Sequence, residues 1–347
     1  MKKTLAAATA MPNVVKLKDV ALRAGCSVAT ASRVLNGHKT VGQSERERVL
    51  EAAMQLGYVP NNSARALRSQ STRLVGVIVP TLDHAIYARM IDGLQLELER
   101  VGMSVIISSS GYDLERERAQ VRILVARGVE AIVMVGAEHH PDTSDYLRRV
   151  GVHQIFTYTT DLNAGDAAIG FDNRRAAATA ARYLLDLGHR RFGMIAGVTA
   201  GNDRARQRRD AFLAALEDDG IDRREVVVVE ATYNIELGRA AMQSLMQTVP
   251  RPTAVFCGSD ILAAGAIRHC QMAKISVPDE VSVMGFDNLE VAELVNPPLT
   301  TLNVPLKAMG EAAAETLMAL SQEREHERVI DLPLRLVVRD STGPAPK

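Results

Sequence analysis

From residue 74 onward, short apolar runs alternate with longer stretches whose apolar positions recur every three to four residues. The run LVGVIVP precedes a helical pattern over about 84–102, SVIISSS one over 114–127, and AIVMVG one over 142–150, which leads into VHQIFTY. A second series starts at AAIGF and continues with a helix over 173–188, FGMIAG and a helix over 202–219. VVVVE, a helix over 235–248, AVFCG, a helix over 260–272 and VSVMGF complete it. Continuous apolar strands alternating with amphipathic helices predict parallel sheets covered on both faces. Two such series predict two doubly wound lobes. Ligands of such sheets bind beyond the carboxyl ends of the strands, which here places a site in the cleft between lobes.

The first 60 residues follow another pattern. Leu17, Val20, Ala21 and Ala24 recur at helical spacing, Gly25 interrupts, and Ala31, Val34 and Leu35 resume the period. A helix that stops at glycine and restarts behind a serine predicts a helix-turn-helix, with Gly25 in the turn and Ser27 capping the second helix. A third helix is predicted from the capping box Ser44-Glu45-Arg46-Glu47, with Ser44 as N-cap, through the stripe Val49, Ala52, Ala53 and Leu56 to Gly57.

Charge sharpens this division. The whole chain is neutral, but residues 1–73 carry twelve Lys and Arg against four Asp and Glu, a net of +8 that leaves −8 on the rest. Such a split suits a polyanion-binding head on an acidic body. The three cysteines, Cys26, Cys257 and Cys270, are far apart in sequence, so neither a disulfide framework nor a zinc site is expected, and a reducing compartment is. No apolar run is long enough to span a membrane. The stretch from Leu5 to Met11 falls short of a signal peptide and reads as part of a disordered leader over 1–16.

The motifs LKDVALRAG, SVATASRVLNG and GYVPNNSARAL stand in order between Leu17 and Leu67. This run closely resembles the DNA-binding head and hinge of the lactose-repressor/galactose-repressor (LacI/GalR) family. Cys26 and Ala31 stand where larger aliphatics are usual, which thins the head's core. The resemblance implies an all-α helix-turn-helix head followed by an α/β periplasmic-binding-protein-like body of two doubly wound parallel-sheet lobes. It implies a head over 17–60, a hinge helix and linker over 61–73, an effector-binding and dimerisation domain over 74–340, and a tail over 341–347. Lobe 1 is expected at about 74–172 and 303–330, and lobe 2 at about 173–302 and 331–340.

By the same resemblance the second helix enters the major groove of operator DNA. Ser27, Val28, Ala29, Thr30, Ser32, Arg33, Asn36 and His38 are the candidate DNA contacts there, with Arg33 suited to a bidentate pair with guanine. Asn61, Ala64 and Leu67 are candidates in the hinge, where Leu67 would wedge into the minor groove. In the cleft, Tyr87, Arg208, Ser259 and Asp287 are candidate effector contacts: a ring to stack, a fork for carboxylate or hydroxyl, and acceptors for hydroxyls. Asp172 is expected behind the effector contacts or at the hinge between lobes, and Asp260 as a helix cap. The stretches SSSGYDLERE and FCGSDILAAGAIRHCQ are similar to the gluconate-responsive branch, which points to a sugar or sugar acid. No leucine heptad follows GPAP, so a homodimer rather than the lactose repressor's tetramer is expected, working in the cytoplasm on the nucleoid. No cofactor, metal or membrane partner is implied.

Other classes find little support. Gly37–Ser44 imitates a P-loop but has Gln43 in the place of the phosphate-binding lysine. No G-x-G-x-x-G or G-x-S-x-G occurs, and His139-His140 lacks a third ligand at metal spacing and reads as a loop pair, so an enzyme is not expected. A periplasmic-type solute-binding protein shares the body's pattern, but would need a signal peptide and has no use for a basic head.

Overall fold

The computed structural model describes residues 15–36, 40–59 and 71–347. The expected leader before residue 15, His38, and the hinge candidates Asn61, Ala64 and Leu67 lie outside the described residues. The chain divides into two compact units, residues 1–72 and 73–347.

The first unit holds α1 (Leu17–Ala24), α2 (Val28–Leu35) and α3 (Gln43–Leu56). Gly25 ends α1 in the left-handed region at φ 65°, a conformation that costs glycine least, and Ser27 then caps α2 by accepting the Thr30 amide at 3.0 Å. Val20, Ala31 and Val49, one from each helix, are fully buried at the centre. Every other fully enclosed side chain of this core is also Val or Ala, so it is thin, as small domains tend to be. The third helix starts two residues earlier than its sequence suggests: Gly42 is the N-cap, and Ser44 lies inside the first turn.

In the second unit, β1 (Leu74–Val79), β2 (Ser104–Ser109), β3 (Ala131–Val135), β4 (His153–Thr157) and β5 (Ala167–Gly170) form one parallel sheet. It is completed from far along the chain by β11 (Val329–Asp331), giving the order β11-β5-β4-β3-β1-β2. Val75, Val77, Ile78 and Val79 of β1 are all buried, because helices cover both faces. These helices include α4 (Ala85–Arg100), α5 (Leu114–Ala126), α6 (Asp142–Arg149) and the late α12 (Leu306–Ser321). Helix α12 packs along α4 with Gly310 against the Met90 backbone and Gly93 against the Lys307 backbone.

The second sheet contains β6 (Phe192–Gly197), β7 (Val227–Ala231), β8 (Ala254–Cys257) and β9 (Ser282–Met284) in the parallel order β7-β6-β8-β9. Helices α7 (Asn173–Asp186) and α8 (Asp203–Asp218) pack together beside it, as do α9 (Ile235–Met246) and α10 (Asp260–Ala273). The short helix α11 (Val291–Leu294) leads to β10 (Thr301–Asn303), which pairs antiparallel with β12 (Arg335–Val337). The chain thus passes between the two sheets' lobes after β5, after β10 and after β11.

Residues 341–347, expected as a tail, are instead built into the second lobe. Ser341 is fully buried, with its hydroxyl donating to Val283 O at 2.6 Å, and the Ala345 amide donates to Leu187 O at 2.9 Å. Buried His189 joins this strap to the sheet, with Nε2 at 3.1 Å from both Ser282 Oγ and Gly343 O. No helix among the described residues is long and apolar enough to cross a membrane.

Candidate functional site: a reading helix and an enclosed cleft

Helix α2 presents two faces. Ala31 and Val34 turn into the core, while Val28, Ala29, Arg33 and Asn36 are exposed, Val28 to 48%. An apolar pair left out at the start of a helix, with an exposed arginine one turn beyond Ala29, suits contact with base edges and thymine methyls. Ser27 and Thr30 are partly engaged with each other, their hydroxyls 2.9 Å apart. The Asn36 amide folds back to donate to Ser32 O at 2.7 Å, closing the helix end.

The two lobes of the second unit enclose a cavity of about 180 Å³. Tyr87, Arg208, Ser259 and Asp287 all line it, so the fold brings together four side chains spread over 200 residues of sequence. Tyr87 comes from α4, is nearly buried, and meets Tyr158 edge-on with ring centroids 5.5 Å apart. Ser259 caps α10, accepting the Leu262 amide at 3.3 Å. Asp260, expected as that cap, points elsewhere: it is fully buried and accepts the Leu289 amide at 2.7 Å and the Thr301 hydroxyl at 2.6 Å. Asp172 caps α7 through the Arg174 amide at 2.8 Å and does not line the cavity.

The arginine-rich start of α8 divides by direction. Arg204 and Arg208, one turn apart, are buried, whereas Arg206 and Arg209 face outward to Glu138 and Glu230. Arg208 lays its guanidinium over the Phe286 ring, 4.5 Å from the centroid, and donates to Asn173 Oδ1 at 2.6 Å. Its buried Nε has no hydrogen-bond partner among the described residues. Burial pushes the Asp287 carboxyl, which also lines the cavity, well above the usual carboxylate range, and the nearby Asp260 adds to the shift while Arg208 opposes it.

Arg204 was not singled out by the sequence, and it does two things. It lines the cavity, and it donates from Nη1 to Val135 O at 2.9 Å and Asp203 Oδ1 at 2.8 Å. Asp203 in turn accepts the Ala137 amide at 2.8 Å, so the start of α8 in one lobe is latched onto the loop after β3 in the other. Gly136 makes this approach possible: a β-carbon there would overlap Arg204 Nη1 and Asp203 Oδ1. His139, expected as one of two loop histidines, is on that loop but buried, with Nδ1 2.9 Å from Glu117 Oε1 and Nε2 3.1 Å from Gly136 O. His84, Tyr158, Asn202 and Tyr233 also line the cavity without having stood out in the sequence. They sit on loops from separate strands, so no local spacing betrays them.

A helix-turn-helix reader joined to a two-lobed sensor defines a DNA-binding transcription regulator with an effector-binding domain. Residues 16–61 match the model of the bacterial regulatory proteins of the lacI family, and residues 181–342 match that of the periplasmic binding protein-like domain. The HTH-type transcriptional regulator DegA of Bacillus subtilis is 31% identical over 334 residues, 94% of this chain and 97% of its own. Catabolite control protein A of Priestia megaterium is 29% identical over 329 residues, covering 94% and 99%. The crystal structure of the Lac repressor dimer bound to operator and the anti-inducer ONPF superimposes with a TM-score of 0.85 at 25% identity, over 95% of this chain and 100% of that one. The chain belongs to the LacI family of transcriptional regulators, and it is not an enzyme.

Proposed function

We propose that this regulator binds a two-fold-related operator as a homodimer, that it acts as a repressor on the nucleoid in the cytoplasm, and that a compact sugar acid such as gluconate in the interlobe cavity sets its affinity for DNA. The observation that carries the effector class is Arg208, a buried guanidinium that lines the cavity without an acidic hydrogen-bond partner among the described residues. A carboxylate is the ligand group that best satisfies such a fork. Asp287 then accepts hydroxyl hydrogens, and Tyr87 with Tyr158 and Phe171 supplies an apolar wall for the carbon chain. On the DNA side, Arg33 reads a guanine, Val28 and Ala29 make methyl and shape contacts, and Ser27, Thr30, Ser32, Asn36 and His38 reach phosphates or bases. Asn61, Ala64 and Leu67 of the hinge complete the grip in the minor groove.

Coupling requires the ligand to favour one arrangement of the lobes, and about 1–3 kcal/mol of difference is typical. Operator titrations with and without gluconate, on the intact chain and on two variants, test both ends. Gluconate shifts operator affinity of the intact chain, Asp287→Ala keeps that affinity and loses the shift, and Arg33→Ala loses about 1–3 kcal/mol at one base position. A shift that survives in Asp287→Ala removes Asp287 from the site. Equal weakening by Arg33→Ala on every sequence makes Arg33 a phosphate contact.

A further inference from the structure

The interlobe cavity is less open to solvent than the space around it. Beside it lies a wider vestibule of about 1040 Å³, and His84, Tyr233, Asp83 and Ile261 line both spaces. The partition is therefore made of side chains, and its two rings come from different lobes. His84 stands on the loop before α4 and Tyr233 on the loop after β7. Their rings meet edge to face with centroids 5.1 Å apart. Tyr233 is held from behind: its hydroxyl accepts from Asn202 Nδ2 at 3.2 Å, and it fills the space over Gly197. A β-carbon at residue 197 would overlap the Tyr233 hydroxyl, so this ring position depends on glycine there.

We infer that His84 and Tyr233 form a shutter that determines effector size, admitting one compact polyhydroxy acid to the inner chamber and excluding the same acid when it carries a second sugar ring. The inner chamber, about 180 Å³, is below the ~300 Å³ at which pockets for drug-sized ligands begin, while the vestibule would hold a second ring easily. The paired rings stand between the two volumes, beside Asp83 and Ile261. Because each ring belongs to a different lobe, the shutter opens when the lobes part and closes over a ligand once inside. The inference rests on the proposed reading of the cavity as the effector site, but the shutter itself can be tested without an effector.

Ser259 lines the inner chamber and not the vestibule, so Ser259→Cys places a reporter thiol behind the shutter. Its modification is measured by peptide mass against the parent chain, which accounts for Cys26, Cys257 and Cys270. Two reagents are compared, methyl methanethiosulfonate and fluorescein maleimide. In Ser259→Cys alone the small reagent reacts and the bulky one lags far behind. Adding Tyr233→Ala removes that lag, and adding Gly197→Ala, which displaces the ring without deleting it, does the same. Unchanged ratios in both double variants overturn the shutter; a change in Tyr233→Ala without one in Gly197→Ala overturns the role given to the glycine seat. Calorimetry with gluconate and with lactobionate, a gluconate bearing galactose, then reads specificity. The intact chain binds gluconate alone and Tyr233→Ala binds both. If neither compound binds the intact chain while the thiol ratios change, the sugar-acid reading fails and the shutter stands. If the intact chain already binds lactobionate, the size limit is wrong.

Discussion

Asp260 shows how a single buried side chain can set a whole unit's response to acid. Its two oxygens take an amide from Leu289 and a hydroxyl from Thr301, bonds that favour the ionised form. Burial outweighs them and raises its pKa to about 6 from 3.8. Burial displaces Asp287 in the same direction. Between about 4 and 6 the folded chain keeps a proton that the unfolded chain has already released, so stability falls as pH rises through that window. The thermal midpoint of the sensor unit should therefore climb when pH is lowered from about 6 to 4, and Asp260→Asn should flatten the climb. A midpoint that drops across this window in the parent chain would show that other groups govern it. Individual residues were also where the sequence said least about the site. Tyr87, Arg208, Ser259 and Asp287 could be named from the resemblance, and all line the cavity. Arg204 and Tyr233 could not, because their partners, Val135 at the end of β3 and His84 on the loop before α4, lie far away in sequence on the other lobe.

Among elements, the latch between the start of α8 and the loop after β3 has the clearest mechanical role. It draws the lobes together through backbone groups of Val135 and Ala137, and Arg204 carries it to the cavity wall. Gly136→Ala puts a methyl where the Arg204 guanidinium lies, in a residue with φ 86° that also disfavours a side chain. We expect this variant to weaken ligand binding roughly 5–150-fold, the range of a typical allosteric coupling, although residue 136 is not among the cavity's lining residues. Small-angle scattering of the sensor should show a more open particle. An unchanged scattering profile with unchanged affinity would make the latch dispensable.

The major strands and helices of both series were legible from their apolar periods, since each is long and packed on a known side. Strands β10 and β12 were not, at three residues apiece. Helix α12 passed unread although Pro305 precedes an Ala- and Leu-rich run, because its buried positions extend around much of its surface and blur the stripe. The strap at 341–345 is polar and rich in Gly and Pro, and its burial depends on hydrogen bonds to His189, Ser282 and Val283 that no local pattern announces.

At the scale of the molecule, the charge division marks a division of labour. The basic first 73 residues make the reader, and the acidic remainder the sensor. The sensor carries its own cores, so a chain beginning at residue 73 should fold and bind ligand as the intact chain does, while losing operator binding entirely. Calorimetry and operator titration on that fragment check the two halves separately. Retained sequence-specific DNA binding would place the reader elsewhere, and lost ligand binding would make the head part of the sensor. A solute-binding protein, by contrast, would keep its whole role after the same cut.

The order in which the first lobe acquires its parts has a consequence during translation. Strands β1 to β5 and helix α4 leave the ribosome early, but β11 and α12, which flank and cover them, follow only after most of the second lobe has been made. At about 5–20 residues per second, the nascent chain carries the α4 surface around Met90 and Leu94 uncovered for on the order of ten seconds. That interval is when chaperones have most to protect, and slow codons within the second lobe would lengthen it.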